Sequence, residues 1–347
     1  MHETKRIYSA TAMMGILALG LGVPTAKAET VLRMNNWLPP QHAMLVGCVK
    51  PWIEQVAEAT DGRVKIELTG SSLGAPPRQY DMVEQGIVDI ALGAHGYTPG
   101  RFDLTGVAEL PFKGESGEAR SVAFWRVNDK LLGEAGEYDN VKLLALYTTG
   151  TGIIMTSNKA VTSLDDYNGL KFRVGGGLAS DINQKLGGVN VAAPAGEVRE
   201  MMSQGVVDGT LLAPETYNSF DFKNVVNYRT EFPGGFYAAG FFIVMNQQSF
   251  DKLDQQDQED LMSVSGENLS RLCGEAIDKA DAAGFASMDE DGVQKTIADE
   301  AFTASVRERL APLEAAWIEK ANAKGIDGPA AVKMFESEVE QVMKSAE

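Results

Sequence analysis

The chain has 347 residues, a formal net charge of −17, 44% hydrophobic residues, three histidines and two cysteines. So acidic a surface repels phosphate backbones and argues against a nucleic-acid partner. The length exceeds what one compact core usually holds, so a two-domain body is the default.

Residues 1–28 read as a secretory leader: Lys5 and Arg6 form a basic start, "MMGILALGLGV" an apolar run, and "AKA" before Glu29 a small-residue cleavage site near Ala28. The run is shorter than the ~20 residues a spanning helix needs. Removing a leader that holds Lys5, Arg6 and Lys27 against Glu3 takes the net charge from −17 to −19. Beyond the leader only His42 and His95 remain, neither in a CxxC or HExxH spacing, so no metal is expected. Cys48 and Cys273, in an exported chain, either pair or stay as two buried thiols, and both alternatives stand.

After Glu29, "TVLRMNNW" reads as a strand, and a helical stretch from about His42 to Thr60 follows with Val49, Trp52, Ile53 and Val56 at helical spacing. Next come a strand "RVKIELTG", a short helix "PPRQYDMVEQG" and a buried strand "IVDIALG". This alternation implies an α/β fold with parallel strands and crossover helices. The phrase returns: "YDMVEQGIVDIALG" from Tyr80 and "REMMSQGVVDGTLL" from Arg199 both set Gln-Gly at a helix end, then an aliphatic pair and an aspartate. Two domains of similar build follow from it. "VKLLALYTTGTGIIMTSN" (141–158) and "GGFYAAGFFIVMNQQSF" (234–250) read as extended segments that carry the chain across and back. The stretch from Gln255 to Gly292 reads as one long bracing helix, and "ESEVEQVMKSAE" as a solvated terminal helix. The expected division is 29–150 with 240–280 as the first domain, and 151–239 with 281–347 as the second. The architecture expected is a clamshell.

"LKFRVGGG" (170–177) ends a strand in a glycine-rich turn and sets Arg173 among apolar residues. Ligands in such folds sit where the carboxyl ends of strands meet a crevice. A guanidinium there requires an internal acid or an incoming carboxylate.

"VTSLDDYNGLKFRVGGG" with "GEVREMMSQGVVDG", and earlier "SSLGAPPRQYDMVEQGIVDIALG" with "AELPF", resemble the substrate-binding proteins of tripartite ATP-independent periplasmic (TRAP) transporters, the DctP family, over nearly the whole mature chain. The resemblance implies a periplasmic two-domain receptor that delivers an organic acid to small and large membrane permease subunits; a monomer without cofactor is expected. It also implies that Arg173 grips the substrate carboxylate. Two departures matter: Ile153 stands where sialic-acid members carry a second arginine, and Leu211 and Leu212 replace polar residues after "VVDG". A ligand with one carboxylate and an apolar or aromatic body is expected.

Further lining candidates are Asn36 and Trp37 after the first strand, His95 and Tyr97 in "GAHGYTPGRF", Trp125 in "AFWRV", and Glu215 as an acceptor for a substrate hydroxyl or amine. Arg101 reads as a surface cation near the mouth. The rival class is a periplasmic enzyme acting on small acids, but "RVGGGLAS" lacks the third glycine of a dinucleotide turn, and no Ser-His-Asp or Cys-His grouping is legible. A receptor feeding a sensor kinase would use the same binding chemistry.

Overall fold

The structure, a computed structural model, describes residues 29–345, and the leader read over residues 1–28 lies outside them. Two sheets form two lobes. Strands are β1 (Thr30–Asn35), β2 (Val64–Leu68), β3 (Ile90–Ala94), β4 (Val141–Thr148), β5 (Ile153–Thr156), β6 (Lys171–Val174), β7 (Val189–Ala192), β8 (Gly209–Leu212), β9 (Tyr228–Glu231), β10 (Gly240–Asn246) and β11 (Gln294–Ile297). The first sheet has the order β2-β1-β3-β10-β4 and the second β11-β9-β5-β8-β6-β7. In each, a parallel trio (β2, β1, β3; β7, β6, β8) meets an antiparallel strand supplied by the other crossing.

The sequence repeat has a structural cause. Gly86 and Gly205 end their helices at φ of 69° and 68°, where a side chain would be strained. The aspartate then ties the incoming strand to its parallel neighbour. Asp89 Oδ2 accepts from Arg33 N at 2.7 Å while Asp89 N donates to Arg33 O at 3.0 Å. Asp208 repeats this with Lys171, at 2.8 Å in both directions. Of each aliphatic pair, the first residue is exposed and the second, Val88 or Val207, is buried.

The chain crosses between lobes at β4 to β5 and returns at β9 to β10. The two crossings bond to each other: Thr149 N donates to Ala239 O at 2.9 Å and Gly152 N to Tyr237 O at 2.7 Å. The bracing helix expected over 255–292 is broken. Gln255–Ser263 is a separate helix, the chain turns at Ser265–Gly266 where Gly266 N bonds to Leu144 O, and the long helix Glu267–Glu290 starts there. Its first half packs Leu269, Cys273 and Ile277 into the first-lobe core, and its end packs Met288 into the second. A second 24-residue helix, Glu300–Ala323, also spans the lobes: Phe302, Val306, Leu310 and Leu313 serve the second core, Trp317 and Ala321 the first.

The last helix, Gly328–Ser345, departs from the expectation twice. It buries Val332, Phe335, Val339 and Val342 in the same core as β3 and the helix Gly117–Val127, so it is not merely solvated. That core belongs to the first lobe, whereas the sequence reading grouped residues 281–347 with the second. The helix end looked polar because its apolar stripe is narrow.

Cys48 and Cys273 are joined in a disulfide, closing a sequence separation of 225 residues between the helical turn Leu45–Val49 and the long helix. This resolves the alternative left by the sequence in favour of pairing. Such a cross-link restricts the unfolded chain and is worth about 2–5 kcal/mol. The Cys48→Ala/Cys273→Ala protein should therefore melt at a clearly lower temperature than the oxidised wild type. Equal melting points, or two titratable thiols in the unreduced unfolded protein, would disprove the bond.

Candidate ligand-binding site

Among the described residues three arginines are fully buried, at 0% for Arg120 and 1% for Arg173 and Arg229, and they are satisfied differently. Arg229 pairs with Glu231 and Asp289, each at 2.7 Å. Arg120 donates to the carbonyls of Gly114, Ala108 and Leu110. Arg173, at the end of β6, has two partners: Nε donates to Ala193 O at 2.7 Å and Nη2 to Tyr97 Oη at 3.3 Å. Among the described residues no carboxylate pairs with it. A buried guanidinium without a counter-charge is costly, and its planar fork suits a carboxylate bound through two hydrogen bonds.

Arg173 faces a cavity of ≈ 70 Å³ between the lobes, at the carboxyl ends of β3, β6 and β8. Trp37, Leu38, Met44, Leu212, Phe220 and Phe241 give it apolar and aromatic walls. Trp37 is fixed by donation from Nε1 to Leu92 O at 2.8 Å, and its ring meets Tyr97 edge-on at 6.0 Å. The Tyr97 hydroxyl accepts from Ala195 N at 2.9 Å as well as from Arg173, so a first-lobe side chain bonds two second-lobe groups. The lobes meet closely beside it. A Cβ on Gly176, at φ 92°, would fall 2.2 Å from the carbonyl oxygen of Gly96.

Two buried carboxyls also line the cavity. Glu109 accepts from Gly240 N at 2.9 Å, and Glu215 accepts from Ser219 Oγ at 2.7 Å. Burial pushes both up to about 7. Asp281, on the long helix, accepts from Glu215 N at 2.8 Å and is raised well above the ordinary range, first by burial and then by Glu215. Burial lowers His42, another lining residue, to about 4.

Of the residues expected from sequence, Arg173, Trp37, Tyr97, Leu212 and Glu215 converge on the cavity. Four do not line it. Asn36 folds its side chain back on Leu38, donating to its carbonyl and accepting from its N–H. His95 is buried behind the wall, with Nε2 2.6 Å from Tyr138 Oη and the ring among Phe102, Phe124 and Phe242; burial lowers it to about 3. Ile153 is core, 1% exposed, and pairs with Leu212 across β5 and β8. Trp125 packs on the first-lobe core beside Gly266. Arg101 pairs with Asp81 over the Tyr80 ring. The sequence reading passed over Glu109, Phe220, Tyr237 and Phe241. Glu109 carried a signal, a lone acid in the apolar run "VAELPF".

The buried titrating groups set a pH dependence. A carboxyl whose folded pKa exceeds its unfolded value binds more protons when folded, so its share of stability is lost as pH rises through about 7. The buried histidines, lowered from 6.5, act oppositely and only below that value. Melting temperature should thus rise as pH falls from about 8 to 6.5, the window in which the carboxyls gain protons before the histidines oppose them. A thermal melting series across this range checks it, and a midpoint that falls or stays flat between 8 and 6.5 contradicts it.

A family model described as DctP, bacterial extracellular solute-binding protein family 7, matches residues 34–320. A TRAP periplasmic solute-binding protein from Bordetella bronchiseptica, solved with bound (R)-mandelate and (S)-mandelate, is 40% identical with a TM-score of 0.89, over 90% of this chain and 99% of that one. A TRAP solute-binding protein from Rhodoferax ferrireducens T118, in complex with copurified benzoate, is 27% identical with a TM-score of 0.85, over 92% of this chain and 100% of that one. The Comamonas testosteroni protein named outer membrane transporter protein TsaT is 28% identical over 326 residues, 93% of this chain and 95% of its own. The family comprises binding proteins, not catalysts, and a cleft that combines one unpaired guanidinium with apolar walls is suited to such a role. The chain belongs to the DctP family of extracellular solute-binding proteins, the periplasmic receptors of TRAP transporters for small organic acids.

Proposed function

We propose that this receptor captures an organic acid with one carboxylate and an apolar or aromatic body, as a monomer, and presents it to the small and large membrane subunits of a TRAP permease. The observation that carries the reading is Arg173, buried, without a carboxylate partner among the described residues, and facing aromatic walls. The guanidinium takes the carboxylate. Trp37, Phe220 and Phe241 take the flat body, where edge and face contacts add to area burial. The mandelate and benzoate bound by the two solved relatives fit this division of labour, since each has one carboxylate and one ring. Ile153, at the position of the second arginine of sialic-acid receptors, and Leu211 and Leu212 offer nothing to a second charge. Capture then proceeds by closure about the paired crossing segments and the two spanning helices.

Isothermal titration against benzoate, mandelate, a short keto acid and succinate tests the substrate class. An aromatic monocarboxylate should bind most tightly, and tight succinate binding alone would refute the reading. Arg173→Lys should weaken that binding on the order of 100-fold, the value of one to two charge-assisted hydrogen bonds, because an ammonium cannot reproduce the fork. Its melting temperature without ligand should stay near that of the wild type. Unchanged affinity would remove Arg173 from the site.

A further inference from the structure

Glu215 has no task in carboxylate capture, yet it is 3% exposed and lines the cavity. Its Oε2 accepts from Ser219, and Oε1 has no hydrogen-bond donor among the described residues. The groups beside it are distinct from those beside Arg173. Arg173 contacts Tyr97 and Ala193, whereas Glu215 contacts Ser219 and Asp281, and among the described residues no ion pair joins the two. Asp281 from the long helix and Tyr147 from β4 are the titratable groups that interact with it, and His42 lines the same cavity. None of these supplies a cation.

We propose that Glu215 is a specificity-determining residue: its free carboxylate oxygen accepts from a hydroxyl that the acid carries beyond its own carboxylate, and its charge excludes a second carboxylate. This rests on the reading of Arg173 as the carboxylate anchor. The chemistry is asymmetric. A hydroxyl brings a hydrogen to an oxygen that no protein donor reaches, whereas an ionised second carboxylate brings none and lies beside a like charge in a low-dielectric site. A polar site of this type discriminates through the group left unpaired in the wrong complex. The ligand class assigned is a hydroxylated aromatic monocarboxylic acid, with the hydroxyl on the side chain or on the ring.

The test is a matched ligand series titrated at about pH 8, where Glu215 is ionised. Phenylacetate is the parent; mandelate and 3-hydroxyphenylacetate add a hydroxyl; phenylmalonate and 3-carboxyphenylacetate set a carboxylate in its place. For the wild type, at least one hydroxylated acid should bind tenfold or more tighter than the parent, and its carboxylate counterpart tenfold or more weaker. In Glu215→Gln the penalty on the carboxylate counterpart, taken as the ratio of its affinity to that of the parent in the same variant, should shrink at least tenfold. In Glu215→Leu the hydroxyl preference should vanish as well. Ratios that stay within threefold of wild type in both variants overturn the assignment. Should the variants not unfold cooperatively, the wild-type series decides alone, and absence of either the hydroxyl gain or the carboxylate penalty overturns it. Failure of phenylacetate and both hydroxy acids to bind the wild type overturns this assignment together with the anchor reading, whereas normal parent binding without discrimination overturns this assignment alone.

Discussion

A guanidinium cannot be taken out of water without a partner, and the arrangement of the cleft follows from how this protein meets that constraint at Arg173. Arg229 is paired with two acids, and Arg120 donates to three backbone carbonyls within the field of Glu109, and neither lines the cavity. Arg173 is held in position by one carbonyl and one hydroxyl, which orient the fork without cancelling its charge. In the proposed function its counter-charge is the carboxylate of the ligand. That single unmet requirement explains why the strand end is buried, why the surrounding walls can be apolar, and why the surface can be strongly acidic while the protein still attracts an anion.

The acids in the cleft follow the same electrostatics with opposite sign. Glu109, Glu215 and Asp281 are all raised by burial, and Glu109 and Glu215, at about 7, are only partly ionised near neutral pH. Two of them also hold backbone. Glu109, before the first crossing, accepts from Gly240 at the start of β10, and Asp281 on the long helix accepts from Glu215 in the second lobe. The carboxyls are thus joints of the frame as well as part of the lining.

Much of this was legible in the sequence, because it rests on local patterns. The repeat from Tyr80 and Arg199 exposed two lobes of one build, since a helix end at positive φ followed by a strand-tying aspartate leaves the same four residue types in each copy. Arg173 stood out because a charge at an apolar strand end has few structural uses. What stayed hidden depends on contacts distant in sequence. His95 and Trp125 are aromatic residues that could serve a ligand or a core, and only the packing of Phe102, Phe242 and Gly266 around them decides for the core. Phe220 and Phe241 come from segments whose approach to the cleft is set by the crossings. The break at Gly266 was invisible because the residues on both sides favour helix, and the chain is turned there by a tertiary bond to Leu144.

Closure separates two contributions that a list of lining residues merges. In the proposed mechanism the pair between Arg173 and a carboxylate belongs to the second lobe and would form before the lobes meet, so by itself it would shift the balance between open and closed forms little. What shifts it is whatever the first lobe adds. Tyr97 brings its hydroxyl to Arg173 and Ala195, and Trp37, Leu38 and Met44 bring apolar surface. Covering half of an aromatic body of ~150 Å² from that side is worth about 2 kcal/mol, some 30-fold in the ratio of closed to open forms. Expulsion of water strengthens the guanidinium pair in addition. Both gains require a ligand with an apolar body. On the proposed reading, a small acid without one would satisfy Arg173 yet leave the lobes only weakly drawn together, and the aromatic walls would select which bound anions become a closed receptor that a permease can read.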